Sequence, residues 1–153
     1  MAVYYVDSSA LVKPYVAEAG AEWVTALLRS QQILVSTLSI AEAASAFGRR
    51  GRETNAGDGL GRELFETFLR QVLRFRVLDL TGAIVETASR FLLTSGPVHL
   101  RTLDALHLAT AQQSFILAAS AGMGEGTLVS ADRRLLAAAA AAGLRTENPE
   151  DHA

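Results

Sequence analysis

The sequence has no cysteine, a single lysine, Lys13, and only three prolines. Without cysteine there can be no disulfide, no thiolate zinc site and no thiol catalysis. The same absence fits a reducing compartment. With Lys13 as the only lysine, a receiver-type signalling domain is excluded, because that domain needs a lysine after a late strand. A P-loop enzyme is excluded by the missing Gly-Lys-Ser/Thr. A haloacid-dehalogenase-like phosphatase would carry Asp-x-Asp after the first strand, and here Ser9 takes the second place. The most apolar stretches, Phe115 to Ala121 and Leu135 to Leu144, fall short of the ~20 residues that span a bilayer. The opening Met-Ala-Val-Tyr-Tyr-Val carries no basic residue and runs directly into Asp7, so no signal peptide is expected. A cytoplasmic location and no membrane partner are the expectation.

What is present describes one globular domain over residues 1–153. Half of the residues are hydrophobic and a fifth are charged, enough to bury a single core without staples. The formal charge of −2 argues at first against a polyanionic partner. If four of the sixteen acids bind metal, however, fourteen bases face only twelve acids. Arg49, Arg50, Arg52 and Arg62 cluster mid-chain.

Strands and helices alternate along the chain. Val3 to Val6, Ile33 to Val35, Val77-Leu78 within Phe75 to Leu80, and Thr127 to Val129 are short β-branched runs that read as buried strands. Ser8 or Ser9 can cap a first helix, which Pro14 shortens or kinks, and Gly20 separates it from a helix carrying Trp23, Leu27 and Leu28. Thr37 and Ser39 offer N-caps for the next helix. Gly51 through Gly61 is rich in glycine and polar residues and reads as a turn. Leu64, Phe65, Phe68, Leu69, Val72 and Leu73 form an amphipathic stripe. Further helices are expected over Gly82 to Ser95 and Thr102 to Ala119, broken by Gly96-Pro97, and over Leu135 to Ala142, ended by Gly143. This alternation predicts a three-layer α/β/α fold around a parallel sheet of four or five short strands. Ligands of such folds sit beyond the carboxyl ends of the strands.

Four acids occupy telling places. Asp7 and Asp132 each follow a strand, Glu42 lies early in the helix after the second strand, and Asp104 opens a long helix among leucines. Singly, each has a plain structural reading as a helix cap or a solvated side chain. Jointly, acids at one sheet edge repel one another unless a cation joins them. Carboxylate oxygens without sulfur suit Mg²⁺ or Mn²⁺, and such ions support in-line phosphoryl displacement.

Val-Asp-Ser-Ser-Ala-Leu-Val-Lys at 6–13, Leu-Ser-Ile-Ala-Glu-Ala at 38–43, Leu-Asp-Ala-Leu-His-Leu-Ala at 103–109 and Leu-Val-Ser-Ala-Asp-Arg-Arg-Leu at 128–135 resemble the four motifs of the PIN-domain ribonucleases. Their order and spacing resemble the VapC-type toxins of VapBC toxin–antitoxin pairs, as does the ending Ala-Ala-Gly-Leu at 141–144 before Asn148-Pro149. The resemblance implies that Asp7, Glu42, Asp104 and Asp132 bind one or two Mg²⁺ or Mn²⁺ ions. It places Ser8 and Ser130 where a hydroxyl supports a carboxylate or a water at the ion. It implies hydrolysis of RNA to a 5′-phosphate and a 3′-hydroxyl, an antitoxin that blocks the site, and a homodimer. The alternative is a non-catalytic RNA-binding or protein-interaction module on the same fold.

Other residues carry two readings each. His107 follows Asp104 by three and shares its helix face, as a packing residue or as a metal or phosphate contact. Arg49, Arg50 and Arg52 could grip phosphates or simply end a helix. Arg133 and Arg134 could face RNA or pair with acids. Gly122, Gly124 and Gly126 precede a strand instead of following one, so they read as a turn and not as a phosphate loop. Trp23 reads as core or interface.

Overall fold

In the computed structural model, which describes residues 1–94, 96 and 98–153, five strands form one parallel sheet. They are β1 (Val3–Val6), β2 (Gln32–Ser36), β3 (Arg76–Leu78), β4 (Gly126–Val129) and β5 (Arg145–Glu147), in the spatial order β3-β2-β1-β4-β5. Central β1 places Val3 opposite Gln32 of β2 on one side and opposite Gly126 of β4 on the other. Parallel neighbours need crossovers, and helices supply them. These are α1 (Ser8–Leu11), α2 (Lys13–Val16), α3 (Ala21–Ser30), α4 (Thr37–Glu53), α5 (Gly57–Val72), α6 (Gly82–Leu93), α7 (Thr102–Ser120) and α8 (Arg133–Ala141). The chain closes with a 3₁₀ turn over Pro149–His152.

Alternation along the strands divides the core into the expected layers. Val3, Tyr5, Leu34 and Leu128 face Leu108, Ala111 and Phe115 of α7 and Leu135 and Ala138 of α8. Val6, Ile33, Val35 and Val129 face the opposite way, onto Leu27 of α3, Ala43 and Phe47 of α4, and Phe68 and Val72 of α5. Each of the larger side chains so buried contributes about 1.5–3 kcal/mol. A sheet covered on both faces explains why its inner strands β1, β2 and β4 are nearly continuous apolar runs.

The chain turns within Gly51 to Gly61 as expected, but the turn is far shorter than the composition suggests. Helix α4 runs to Glu53 and α5 begins at Gly57, so only residues 54–56 lie between them. The glycines serve close helix packing. A Cβ on Gly51 would lie 2.7 Å from the Gly57 carbonyl oxygen, and one on Gly61 would lie 3.0 Å from that of Phe47. The Phe47 and Phe68 rings then meet edge to face at 5.7 Å.

Other expectations shift by a residue or two. Ser36, not Thr37 or Ser39, caps α4, accepting from Leu38 N at 3.1 Å. Neither Ser8 nor Ser9 caps α1; Asp7 does. Helix α8 starts at Arg133, two residues before Leu135, because Asp132 caps it. The glycine triplet is a turn as expected: Gly122 and Gly124 have positive φ and Gly126 opens β4. The break at Gly96-Pro97 and the helix end at Ser95 concern Ser95 and Pro97, which lie outside the described residues.

Gly51→Ala forces a methyl into a backbone oxygen, and overpacking of this kind costs about 1–3 kcal/mol. We expect its Tm to fall by about 3–8 °C. Gly59→Ala, in the same helix pair but with open space around its Cβ, should hold or raise Tm. Equal melting of the two variants would refute the close-packing role.

Candidate active site

Beyond the carboxyl ends of the strands lies a cleft of about 920 Å³, and Asp7, Glu42, Asp104 and Asp132 all line it. The sheet brings them there. Asp7 follows β1 and Asp132 follows β4, whose pairing is continued when Asp7 N donates to the Val129 carbonyl at 3.1 Å. Glu42 projects from the second turn of α4, which starts directly at the end of β2. Asp104 comes from the first turn of α7.

Asp7 is the most enclosed of the four, at 4% exposure. Its Oδ1 accepts from Ser9 Oγ at 2.7 Å and from Ala10 N at 3.2 Å, and its Oδ2 accepts from Ser130 Oγ at 2.8 Å. Ser9 Oγ also accepts from Ala131 N at 2.9 Å, and Ser130 Oγ accepts from Asp132 N at 2.9 Å. The two loops after β1 and β4 are therefore laced together through hydroxyls. The hydroxyl that joins Ser130 on Asp7 is that of Ser9, not of Ser8, which lines the cleft without touching the carboxylate. Helical geometry carries the reason: Asp7 caps α1, and the residue two positions on reaches back to the cap.

Glu42 is held by a residue with two readings in the sequence. His107, only 2% exposed, places Nε2 2.5 Å from Glu42 Oε1 and Nδ1 2.7 Å from the Tyr5 hydroxyl. With the Tyr5 O–H donating to Nδ1, the Nε2–H points at the carboxylate. His107 thus fixes a site acid from behind as part of the packed interior. Tyr5 escaped notice in the sequence because it lies 102 residues away; its inward register on β1 was the available signal.

Asp104 and Asp132 keep their capping bonds while lining the cleft. Asp104 Oδ2 accepts from Arg101 N at 3.3 Å, and Asp132 Oδ1 accepts from Arg134 N and Leu135 N at 2.8 and 3.3 Å. Capping a helix and lining the cleft are compatible for both acids.

The electrostatics are strained. Burial raises the Asp7 carboxyl above its ordinary range, although His107, Ser9, Ser130 and Ala10 pull the other way. Burial also raises Asp104, and the neighbouring Asp132 raises it further. Burial alone would lower His107, but the Glu42 hydrogen bond and the charges of Asp7, Glu42 and Asp104 outweigh it, so its affinity for protons rises. Positive charge on the cleft comes from Lys13, Arg49, Arg50 and Arg101. Arg52 and Arg62 do not reach it, and Arg133 lies 3.9 Å from Asp151 on the surface. Trp23 stacks on His152, with ring centroids 4.3 Å apart.

The donor set suits a hard cation, because it is all oxygen and carries more negative charge than its surroundings answer. Asp7 uses three of the roughly four acceptor positions of a carboxylate, leaving one toward the cleft. Among the described residues no three such side chains yet converge around one point. Glu42 is turned to His107 and Asp132 to its own helix, so gathering an ion needs their side chains to rotate.

A family model for the PIN domain matches residues 4–141. The chain belongs to the PIN-domain family. Ribonuclease VapC46 of Mycobacterium tuberculosis H37Rv is 35% identical over 150 residues, which cover 97% of this chain and 99% of that protein. Among solved structures, the PIN-domain fold seen here matches that of M. tuberculosis VapC20, described as a sarcin–ricin loop cleaving toxin. The TM-score is 0.63 at 18% identity, covering 88% of this chain and 94% of the other. A toxin–antitoxin complex from Klebsiella pneumoniae matches with a TM-score of 0.58 at 17% identity, over 97% and 98% of the two chains. Among the described residues of this PIN domain, no helix is long and apolar enough to cross a membrane.

Asp7, Asp104 and His107 all bind protons more readily in the folded chain than in the unfolded one. Stability of the metal-free protein therefore falls as pH rises from each group's ordinary value, 3.8 for the acids and 6.5 for His107, through its raised one. In EDTA we expect a lower Tm at about pH 8 than at about pH 6. Asp104→Asn should raise Tm at neutral pH by about 2 °C. A Tm that climbs with pH, or a destabilised Asp104→Asn, would contradict the strain.

Proposed function

We propose that this PIN domain, acting as a single unit of 153 residues, is a divalent-metal-dependent endoribonuclease and the toxin of a toxin–antitoxin pair. The observation that carries the reading is the cleft itself: four carboxylates beyond the strand ends, of which Asp7 and Asp104 are held above their ordinary proton affinity by burial, Asp104 also by its neighbour Asp132. A site so built is stabilised by a cation and repels an unaccompanied polyanion. The likeness to VapC46 in sequence supports RNA as substrate.

In this reading Asp7, Glu42, Asp104 and Asp132 hold Mg²⁺ or Mn²⁺, one or two ions per site. A bound metal would supply an activated water and charge stabilisation for in-line displacement at the phosphodiester. The chain's own residues do the positioning. Ser9, Ser130 and Ala10 N fix the Asp7 carboxylate on three sides, so its remaining lone pair keeps one direction. His107, held by Tyr5, fixes Glu42. Arg49, Arg50 and Arg101 meet the phosphates at the rim. The like-folded toxin–antitoxin complex supports an antitoxin partner; that the antitoxin covers the cleft and that the chain forms a homodimer are further parts of the same proposal.

Purified protein should cleave RNA with Mn²⁺ or Mg²⁺ and leave 5′-phosphates. EDTA should stop cleavage, and Asp104→Asn should reduce it about a hundredfold or more while the protein remains folded. Cleavage that persists in EDTA would instead mean a metal-independent mechanism with a general acid–base pair. No cleavage of any RNA, with metal bound, would favour the interaction-module reading.

A further inference from the structure

The acidic cleft contains a cation that the metal reading does not use. Lys13 is among the residues that line it, yet its side chain is only 2% exposed. Its Nζ lies 3.1 Å from Glu150 Oε1 and 3.6 Å from Glu18 Oε2. A buried ammonium without anions would be costly, so the pairing is expected. The character of the partners is not. Both carboxylates stand largely in water, at 41% and 54% exposure, and neither is fixed by burial.

The backbone that carries Glu150 is firmly docked. A Cβ on Gly20 would meet the Pro149 carbonyl oxygen at 2.4 Å, Asn148 Oδ1 accepts from Glu150 N at 3.0 Å, and His152 stacks on Trp23. The C-terminal turn therefore holds without the Lys13 pair, and the Glu150 side chain is free to swing away from it. Glu150 itself lines the cleft. It occupies, with a carboxylate, the position next to Lys13 that an incoming anion would take.

We propose that Lys13 is the cation that grips a substrate phosphate inside the cleft, and that Glu150 is the internal anion which that phosphate displaces. The proposal rests on the ribonuclease reading. An RNA strand entering among four acids needs a positive group at depth. Arg49, Arg50 and Arg101 are exposed, and each loses side-chain freedom on gripping a phosphate. Lys13 is already ordered. Its ammonium has three donors, so it can turn from carboxylate to phosphate oxygen without leaving its seat. The exchange of one anion for another keeps the buried charge paired throughout.

Because Lys13 is the only lysine, ¹⁵N-lysine labelling yields a single side-chain ammonium resonance. We would titrate a cleavage-resistant phosphorothioate single-stranded RNA oligonucleotide into the protein with Mg²⁺ present, following that resonance in wild type and E150Q. Affinities of wild type, E150Q and K13Q would be measured across salt concentrations, with metal-supported cleavage assayed in parallel. The proposal expects a saturable shift of the Lys13 resonance. It expects binding about fivefold tighter in E150Q and about tenfold weaker in K13Q. The log–log salt slope of K13Q should be shallower by about 0.7, one phosphate contact on a single strand. If wild type cleaves RNA but the resonance does not move, the Lys13 contact is overturned and the ribonuclease reading stands. If E150Q binds no more tightly, the displacement by phosphate is overturned. If wild type neither binds nor cleaves RNA, both readings fall together. Should K13Q melt below the assay temperature, the wild-type resonance and E150Q decide alone.

Discussion

A carboxylate buried at the end of the central strand is the constraint around which this protein is organised. Asp7 sits where β1 stops, flanked by β2 and β4 and roofed by α1, with almost no access to water. Burying an ionised carboxylate costs several kcal/mol unless hydrogen bonds or charges answer it. Ser9, Ser130 and Ala10 N answer part of that cost, and in doing so they tie the loop after β1 to the loop after β4. The remaining deficit is left open to the cleft, where Asp104 and Asp132 add to it.

The surrounding fold limits how that deficit can be met from within. Glu42 is occupied with His107, and His107 with Tyr5, in a chain of contacts that runs from the cleft into the sheet. Lys13, a buried positive charge lining the same cleft, is occupied with Glu150 and Glu18. The interior thus fixes its acids while answering only part of their charge. Such an arrangement lowers the stability of the free protein and raises the gain when a cation binds, which is the usual exchange of stability for function at a site.

Much of this was legible in the sequence because its signals are local. The strands β1, β2, β3 and β4 stand out as short β-branched runs, and a parallel sheet with strand-end acids follows from alternation alone. Strand β5 does not stand out, since Arg145-Thr146-Glu147 is short, polar and at the sheet edge, stabilised by pairing with β4. Glycine misled for a physical reason. Its low helix propensity argues for a turn filling Gly51 to Gly61, but the α4–α5 contact requires residues without a Cβ, so the helices extend into the segment and leave only 54–56 to turn. The four acids could be placed at one cleft from their positions after strands and at helix starts. What holds them could not be read so easily. Ser9 rather than Ser8 depends on which residue caps α1, while Tyr5–His107 and Lys13–Glu150 join positions more than a hundred residues apart. No periodicity encodes such pairs.

The central claim is that the cleft carries unanswered negative charge which protons and a divalent cation contest. Calorimetric titration with Mn²⁺ at about pH 6, repeated in buffers of different ionisation enthalpy, reads both at once, since a ligand that prefers the deprotonated site releases protons on binding. Saturable binding with net proton release, lost in Asp104→Asn, is the predicted result. No heat at millimolar Mn²⁺, or binding that releases no protons and survives the substitution, would contradict the account.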